Sequence, residues 1–237
     1  MRNIKLIYLG SLLETKFFLR SKEAFFFGII FPLFLFFLFG NLWGEKEYLK
    51  FLLTGVIGMT ISADAFFGVG PVIKTYKDYG ILKLLKILPF NPIYHFTSIF
   101  ISRIICSFIS LFFLILLAIL FFKMKFSFIE LFIYLLGIII GIFLFSFFSL
   151  SISLNYTSEG GRGIINFLYF IMLFFSGTFY PLEIMPDPLK ILAYLSPLTY
   201  LNYFLRGNFL FLLPLSFLCF LFMNLSIILF KKIEMKR

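Results

Sequence analysis

Six stretches of this sequence run almost uncharged for the length of a bilayer crossing: Ala24–Trp43, Phe51–Ile73, Thr97–Phe122, Phe128–Leu154, Ile164–Pro181 and Gly207–Phe230. A hydrocarbon core takes about 20 apolar residues in a helix, and backbone in lipid must satisfy its own hydrogen bonds. The pattern predicts an all-α membrane protein with six transmembrane helices in a single domain, residues 1–237. Composition agrees. Hydrophobic residues make up 62% of the chain and charged residues 14%, where a soluble domain sits nearer a half and a quarter. A seventh apolar stretch, Leu189–Leu205, is shorter and contains Pro197, so a re-entrant or interfacial segment is expected there. The first run follows a charged lead, Met1–Lys22, and is expected to stay in the protein.

The basic residues choose an orientation. Of the 21 Lys and Arg, fifteen fall at the ends that share a side with both termini and six at the opposite ends. Basic residues concentrate on the cytoplasmic side, so both termini are expected in the cytoplasm, with the protein multi-pass in the plasma (inner) membrane. The net charge of +10 then reflects anchoring rather than nucleic-acid binding. No connecting segment is large enough to bury a core of its own.

Several chemistries lack their residues. His95 is the sole histidine, and Cys106 and Cys219 lie inside apolar runs, so neither a His/Cys metal cluster nor a disulfide framework is expected. No Gly is followed by Lys, which removes the phosphate-cradling loop G-x-x-x-x-G-K-[ST]. "SEGGRG" (Ser158–Gly163) is expected to be an inner turn with Arg162 at the headgroups. No catalytic residues are assigned. Asp64 is the acidic residue near the middle of a span. A charge there costs roughly 2.5–3.5 kcal/mol on insertion scales, so it requires a partner or water. It fits equally a proton-carrying group or a structural acid bonded to Ser or Thr. Glu130 and Arg103 lie near span ends and are expected to snorkel.

Between the second and third runs sits "KTYKDYGILKLLKILPFNP" (Lys74–Pro92). A helix is expected over Tyr76–Leu88, with Ile81, Leu84, Leu85 and Leu88 on one face and Lys83 and Lys86 opposite. Gly80 interrupts it, and Pro89 and Pro92 end it. Such a helix suits the headgroup layer or a groove on a cytoplasmic partner.

The stretch "KDYGILKLLKILPFNPIYHF" resembles the first inner loop of ABC-2 type transporter permeases, where a Gly precedes a short Leu-rich coupling helix. "FSGTFYPLEIMPDPLKILAYLSPLTYLNYFLRG" (Phe175–Gly207) is similar to the family signature between spans five and six, the more specific of the two matches. The resemblance covers essentially the whole chain. It implies the membrane subunit of an ABC exporter, working as a homodimer or heterodimer with a soluble ABC ATPase. ATP and Mg would be held by that ATPase, and no cofactor by this chain. Tyr76–Leu88 would be the coupling helix, with Lys77, Asp78, Tyr79, Gly80, Leu82 and Leu85 meeting the ATPase. Residues 1–23 would form an interfacial helix, with Lys5, Lys16 and Arg20 toward membrane lipid. Residues 182–206 would be an outer re-entrant segment capping the pathway, its motif being Gly177, Tyr180, Pro181, Pro186, Pro197, Tyr200 and Arg206. The scarcity of inward charge points to a lipid-like or amphiphilic cargo rather than a small ion, and the resemblance implies an amphiphilic, drug-like, lipid-linked or polysaccharide one. The alternative function is a self-contained proton-coupled transporter using Asp64.

Overall fold

A computed structural model of the protein describes residues 2–81, 84, 87, 93–156 and 158–235. All regular structure among them is helical. In chain order the elements are α1 (Arg2–Arg20), α2 (Lys22–Phe25), a π-helical turn (Phe26–Ile30), α3 (Phe31–Leu42), α4 (Lys46–Gly68) and α5 (Gly70–Asp78). They continue with α6 (Ile93–Phe122), α7 (Phe128–Asn155), α8 (Ser158–Phe175), α9 (Asp187–Leu195), α10 (Pro197–Leu205) and α11 (Leu212–Met235). Four continuous stretches are long and apolar enough to cross a membrane: Lys46–Asp78, Ile93–Phe122, Phe128–Asn155 and Phe209–Leu229. The first and fifth expected spans correspond to Phe26–Leu42 and Gly160–Phe175, which are apolar but shorter.

Proline sets the irregularities. Pro32 has no N–H to return to the carbonyl four residues earlier, that of Gly28. The Ser110 hydroxyl donates to that carbonyl instead, at 3.0 Å, and the chain around Gly28 takes a π-helical turn. A second break falls at Val69, where α4 passes into α5 with Pro71 in the first turn. There Ser149 of α7 donates to the Phe66 carbonyl at 2.6 Å, and a side chain on Gly70 would collide with Ser149. At the far end of α7, Ser127 and Glu130 form a capping box, so Glu130 does more than snorkel. It also pairs with Lys50 of α4 at 2.9 Å.

The fifth expected span is displaced toward the N-terminus, because Ser158–Gly163 is the opening of α8 rather than a turn. Each Gly costs a helix about 1 kcal/mol against Ala. Gly161 and Ile165 are nevertheless buried, and Gly161 lies against Ser153 and Tyr156 at the end of α7. Packing, not propensity, decides the conformation.

The core is built around α4 and α7. Leu52, Leu53, Val56, Ile57 and Phe66 of α4 meet Ile138 and Phe145 of α7 and Leu201 and Phe204 of α10, all buried. In the most apolar window of Lys46–Asp78, 78% is buried within the protein, against 11% for Phe209–Leu229. α4 is therefore central and α11 peripheral. Lipid tails remove most of the hydrophobic drive between membrane helices, so close contact of small residues matters more. Gly137 and Gly141 of α7 accordingly receive Leu205 and Ile61. α1 does not merely rest on a surface. Its Thr15 bonds Ser102 of α6 at 3.1 Å, and Ser98 bonds the Ile7 carbonyl at 3.1 Å. Lys5, Lys16 and Arg20 remain exposed on its other face.

Candidate functional site

The segment after α8 folds back on α4 in a closed clasp. Gly177 takes φ +68°, in the left-handed region that favours glycine, and turns the chain out of α8. A side chain at Gly55 of α4 would strike the Thr178 carbonyl, and one at Gly58 would strike the Asn202 amide oxygen. Bare backbone on α4 is thus what lets the turn and α10 approach. Asn202 is fully buried and donates to the Ser176 carbonyl at 3.3 Å and the Thr178 hydroxyl at 3.1 Å. Its amide oxygen has no conventional partner and faces the Gly58 backbone, an arrangement that admits a weak C–H···O contact.

Arg206 locks the clasp. Its guanidinium donates to the Gly177 carbonyl at 2.7 Å and to the Thr54 hydroxyl at 3.3 Å. It also sits 3.7 Å from the centroid of the Phe51 ring, a cation–π contact. Burial pushes its pKa down to about 10, partly offset by Tyr203 and Glu183, so it remains charged at neutral pH. One side chain thereby holds together α4, the start of the 177–206 segment and its end. Pro186 and Pro197 open α9 and α10, and Tyr200 bonds the Tyr194 carbonyl between them at 2.6 Å. Pro181 precedes the 3-10 turn Leu182–Ile184. Tyr180 is 54% exposed and stands apart from the lock.

Midway along the fold, Asp64 accepts a hydrogen bond from Ser107 of α6 at 2.6 Å. Both residues are buried. A side chain on Gly28, in the π-helical turn, would approach the free carboxylate oxygen to 3.4 Å, so the turn lies over Asp64. Arg103 lies one helical turn before Ser107 on α6. It was expected to snorkel, yet it is 8% exposed, bonds Ser102 at 3.2 Å and lies 5.1 Å from the centroid of the Phe18 ring. The serines of α6 at 98, 102, 107 and 110 narrow that face enough for α1 and the π-helical turn to close over the charges.

At the opposite end from the clasp, α5 terminates in an open turn. Tyr76–Asp78, expected to begin the coupling helix, instead complete α5, and the chain turns at Tyr79–Gly80. Lys74 pairs with Asp78 at 2.8 Å, the i,i+4 spacing of one helical face. Lys77 follows in the same last turn. Tyr79 is 79% exposed, and Gly80 takes φ +73° with open space where a side chain would begin. Leu82 and Leu85 lie outside the described residues. The sequence reading missed three groups here. Tyr76 bonds Glu14 of α1 at 3.3 Å and stacks on His95 at 5.3 Å between centroids. Arg162 of α8 donates to Thr75 at 3.2 Å. None of these pairs has a regular spacing that would expose it in the sequence. Among the described residues no group of His, Cys, Asp and Glu could hold a metal.

Comparison with known proteins agrees with this architecture. The family model described as ABC-2 type transporter matches residues 11–210. A Cyanophora paradoxa protein named as a transport permease (ycf38) is 31% identical over 191 residues, covering 73% of this chain. The chain spans 63% of that relative's length. A model match running from α1 through the whole Gly177–Arg206 clasp leaves one assignment: this chain belongs to the ABC-2 type transporter family of membrane proteins.

Proposed function

We propose that this chain is the membrane-spanning permease subunit of an ATP-driven exporter. Two permease subunits, identical or different, would pair with two soluble ATPase subunits that hold ATP and Mg. The supporting observation is the path of Lys46–Asp78, one helical stretch running from the clasp to the turn at Tyr79–Gly80. A push on that turn would reach the clasp through the most buried of the four long apolar stretches. The sequence has no phosphate-cradling loop, and in this reading a partner supplies the work. Lys77, Asp78, Tyr79 and Gly80, with Leu82 and Leu85 beyond them, are the proposed ATPase contacts, on the cytoplasmic side together with both termini. The clasp faces outward. The cargo is amphiphilic in this reading, whether drug-like, lipid-linked or polysaccharide, and the membrane is the plasma (inner) membrane.

The proton-carrier alternative has less support, because the carboxylate of Asp64 is held by Ser107 and covered by the π-helical turn. The decisive test is copurification with a soluble ABC ATPase, followed by Gly80→Pro. Proline cannot take φ +73°, so hydrolysis should continue while export falls to background. Unchanged export by the variant, or uphill pumping by the reconstituted chain alone, would overturn the proposal.

A further inference from the structure

A cleft of about 410 Å³ lies beside the break between α4 and α5, closed on its other side by the opening of α8. Its walls are apolar at Phe67 and Pro71 and polar at Thr75, Tyr76, Arg162 and Asn166. The Thr75 hydroxyl donates to the Pro71 carbonyl at 2.8 Å and accepts from Arg162 at 3.2 Å. A guanidinium has five N–H donors, and this contact uses one.

The surface of α8 continues the cleft in an ordered way. At 100° per residue, Arg162, Gly163, Asn166, Phe167, Phe170 and Phe174 fall within an arc of about 140°. All six are exposed, the three phenylalanines at 66%, 55% and 58%. The strip begins with a cation and an amide and is aromatic for the next two turns. From Arg162 to Phe174 it runs about 18 Å. A soluble anion would use only its first turn, and a neutral lipid only its last two. A molecule with an anionic head and a hydrocarbon chain uses both.

We propose that the α5–α8 cleft binds the anionic headgroup of an amphiphile whose chain lies along Phe167, Phe170 and Phe174. This rests on the exporter reading in that it names the class of cargo, but binding itself requires neither the ATPase nor transport. The probes are single-chain lysophosphatidate, lysophosphatidylcholine of the same chain length, and inorganic phosphate, each titrated into the purified full chain in neutral detergent. Lysophosphatidate should bind about tenfold or more tighter than lysophosphatidylcholine, the worth of a charge-assisted hydrogen bond. Arg162→Ala should erase that preference with the unfolding temperature held, since Arg162 is exposed. Arg162→Lys should keep most of it, and Phe170→Ala should weaken both lipids alike. Should Arg162→Ala fail to fold, Arg162→Gln makes the same test. Equal binding of the two lipids, or a preference that survives loss of Arg162, leaves only annular lipid and overturns the proposal. Competition by inorganic phosphate as strong as that of lysophosphatidate would make it a free-anion site. A Phe170→Cys chain that disulfide-links to a second copy and excludes lipid would give the strip to a dimer. Each of these also overturns it. ATPase-driven export that persists while the lipid preference fails would sink the headgroup site and leave the exporter reading standing.

Discussion

The two ends of Lys46–Asp78 are built on opposite plans. At the clasp, Gly55 and Gly58 give up their side chains so that Thr178 and Asn202 can touch the helix, and one guanidinium ties both α4 and the Gly177 turn to the end of α10. At the other end, Gly80 and Gly163 have open space around them, and Arg162 makes one contact with Thr75. The same residue type thus has opposite meanings. At the clasp a crowded glycine marks a close approach of two segments, and at the other end a glycine in the open marks a surface left for something else to use.

That contrast can be broken at three strengths. The largest effect is expected from Gly58→Leu, where a side chain would displace Asn202 from a buried site. Overpacking costs about 1–3 kcal/mol even where neighbours can shift, and here the neighbour is itself hydrogen-bonded. The variant should lose monodisperse protein on size exclusion in detergent; normal yield and unfolding temperature would show that the clasp is not fixed. Arg206→Lys should be intermediate, destabilising by about 1.5–3 kcal/mol, because a lysine keeps the charge but not the fork reaching Gly177 and Thr54 together. Denaturant unfolding in micelles measures it, and a lysine variant as stable as the parent would reduce Arg206 to a simple charge. The smallest effect has the opposite sign. Gly163→Ala, in a helix with room for a methyl group, should stabilise by about 0.5–1 kcal/mol. Destabilisation would mean that this surface is already covered.

Hydropathy made the helical class and the approximate stretches legible, because lipid permits little besides helices that bond internally. It located the centre of α4 and the whole of α6 and α7 closely. It misplaced α8, since three glycines in "SEGGRG" have turn chemistry, and the burial of Gly161 against the end of α7 reverses it. The break at Val69 could have been read from "GVGP", where Pro71 withholds a donor. Motif resemblance picked out Gly177 and Arg206, which do meet, but not Thr54 or Asn202, which complete the clasp from 152 and 26 residues away in sequence from their partners. Arg103 was misjudged because nearness to a span end says nothing of which way a helix faces. Its burial depends on α1 closing over α6, a tertiary fact without a local signal.

The joint at Val69 sets a gearing. α5 extends nine residues beyond it, about 13 Å of helix. A tilt of about 10° there would swing the tip at Tyr79 by about 2 Å relative to the axis of α4, and the remainder of a push on that tip would pass along α4 toward Thr178 and Asn202. Small angular travel at a proline-weakened knuckle becomes linear travel at the protein's edge, and stiffening that knuckle would change the stroke without touching either grip.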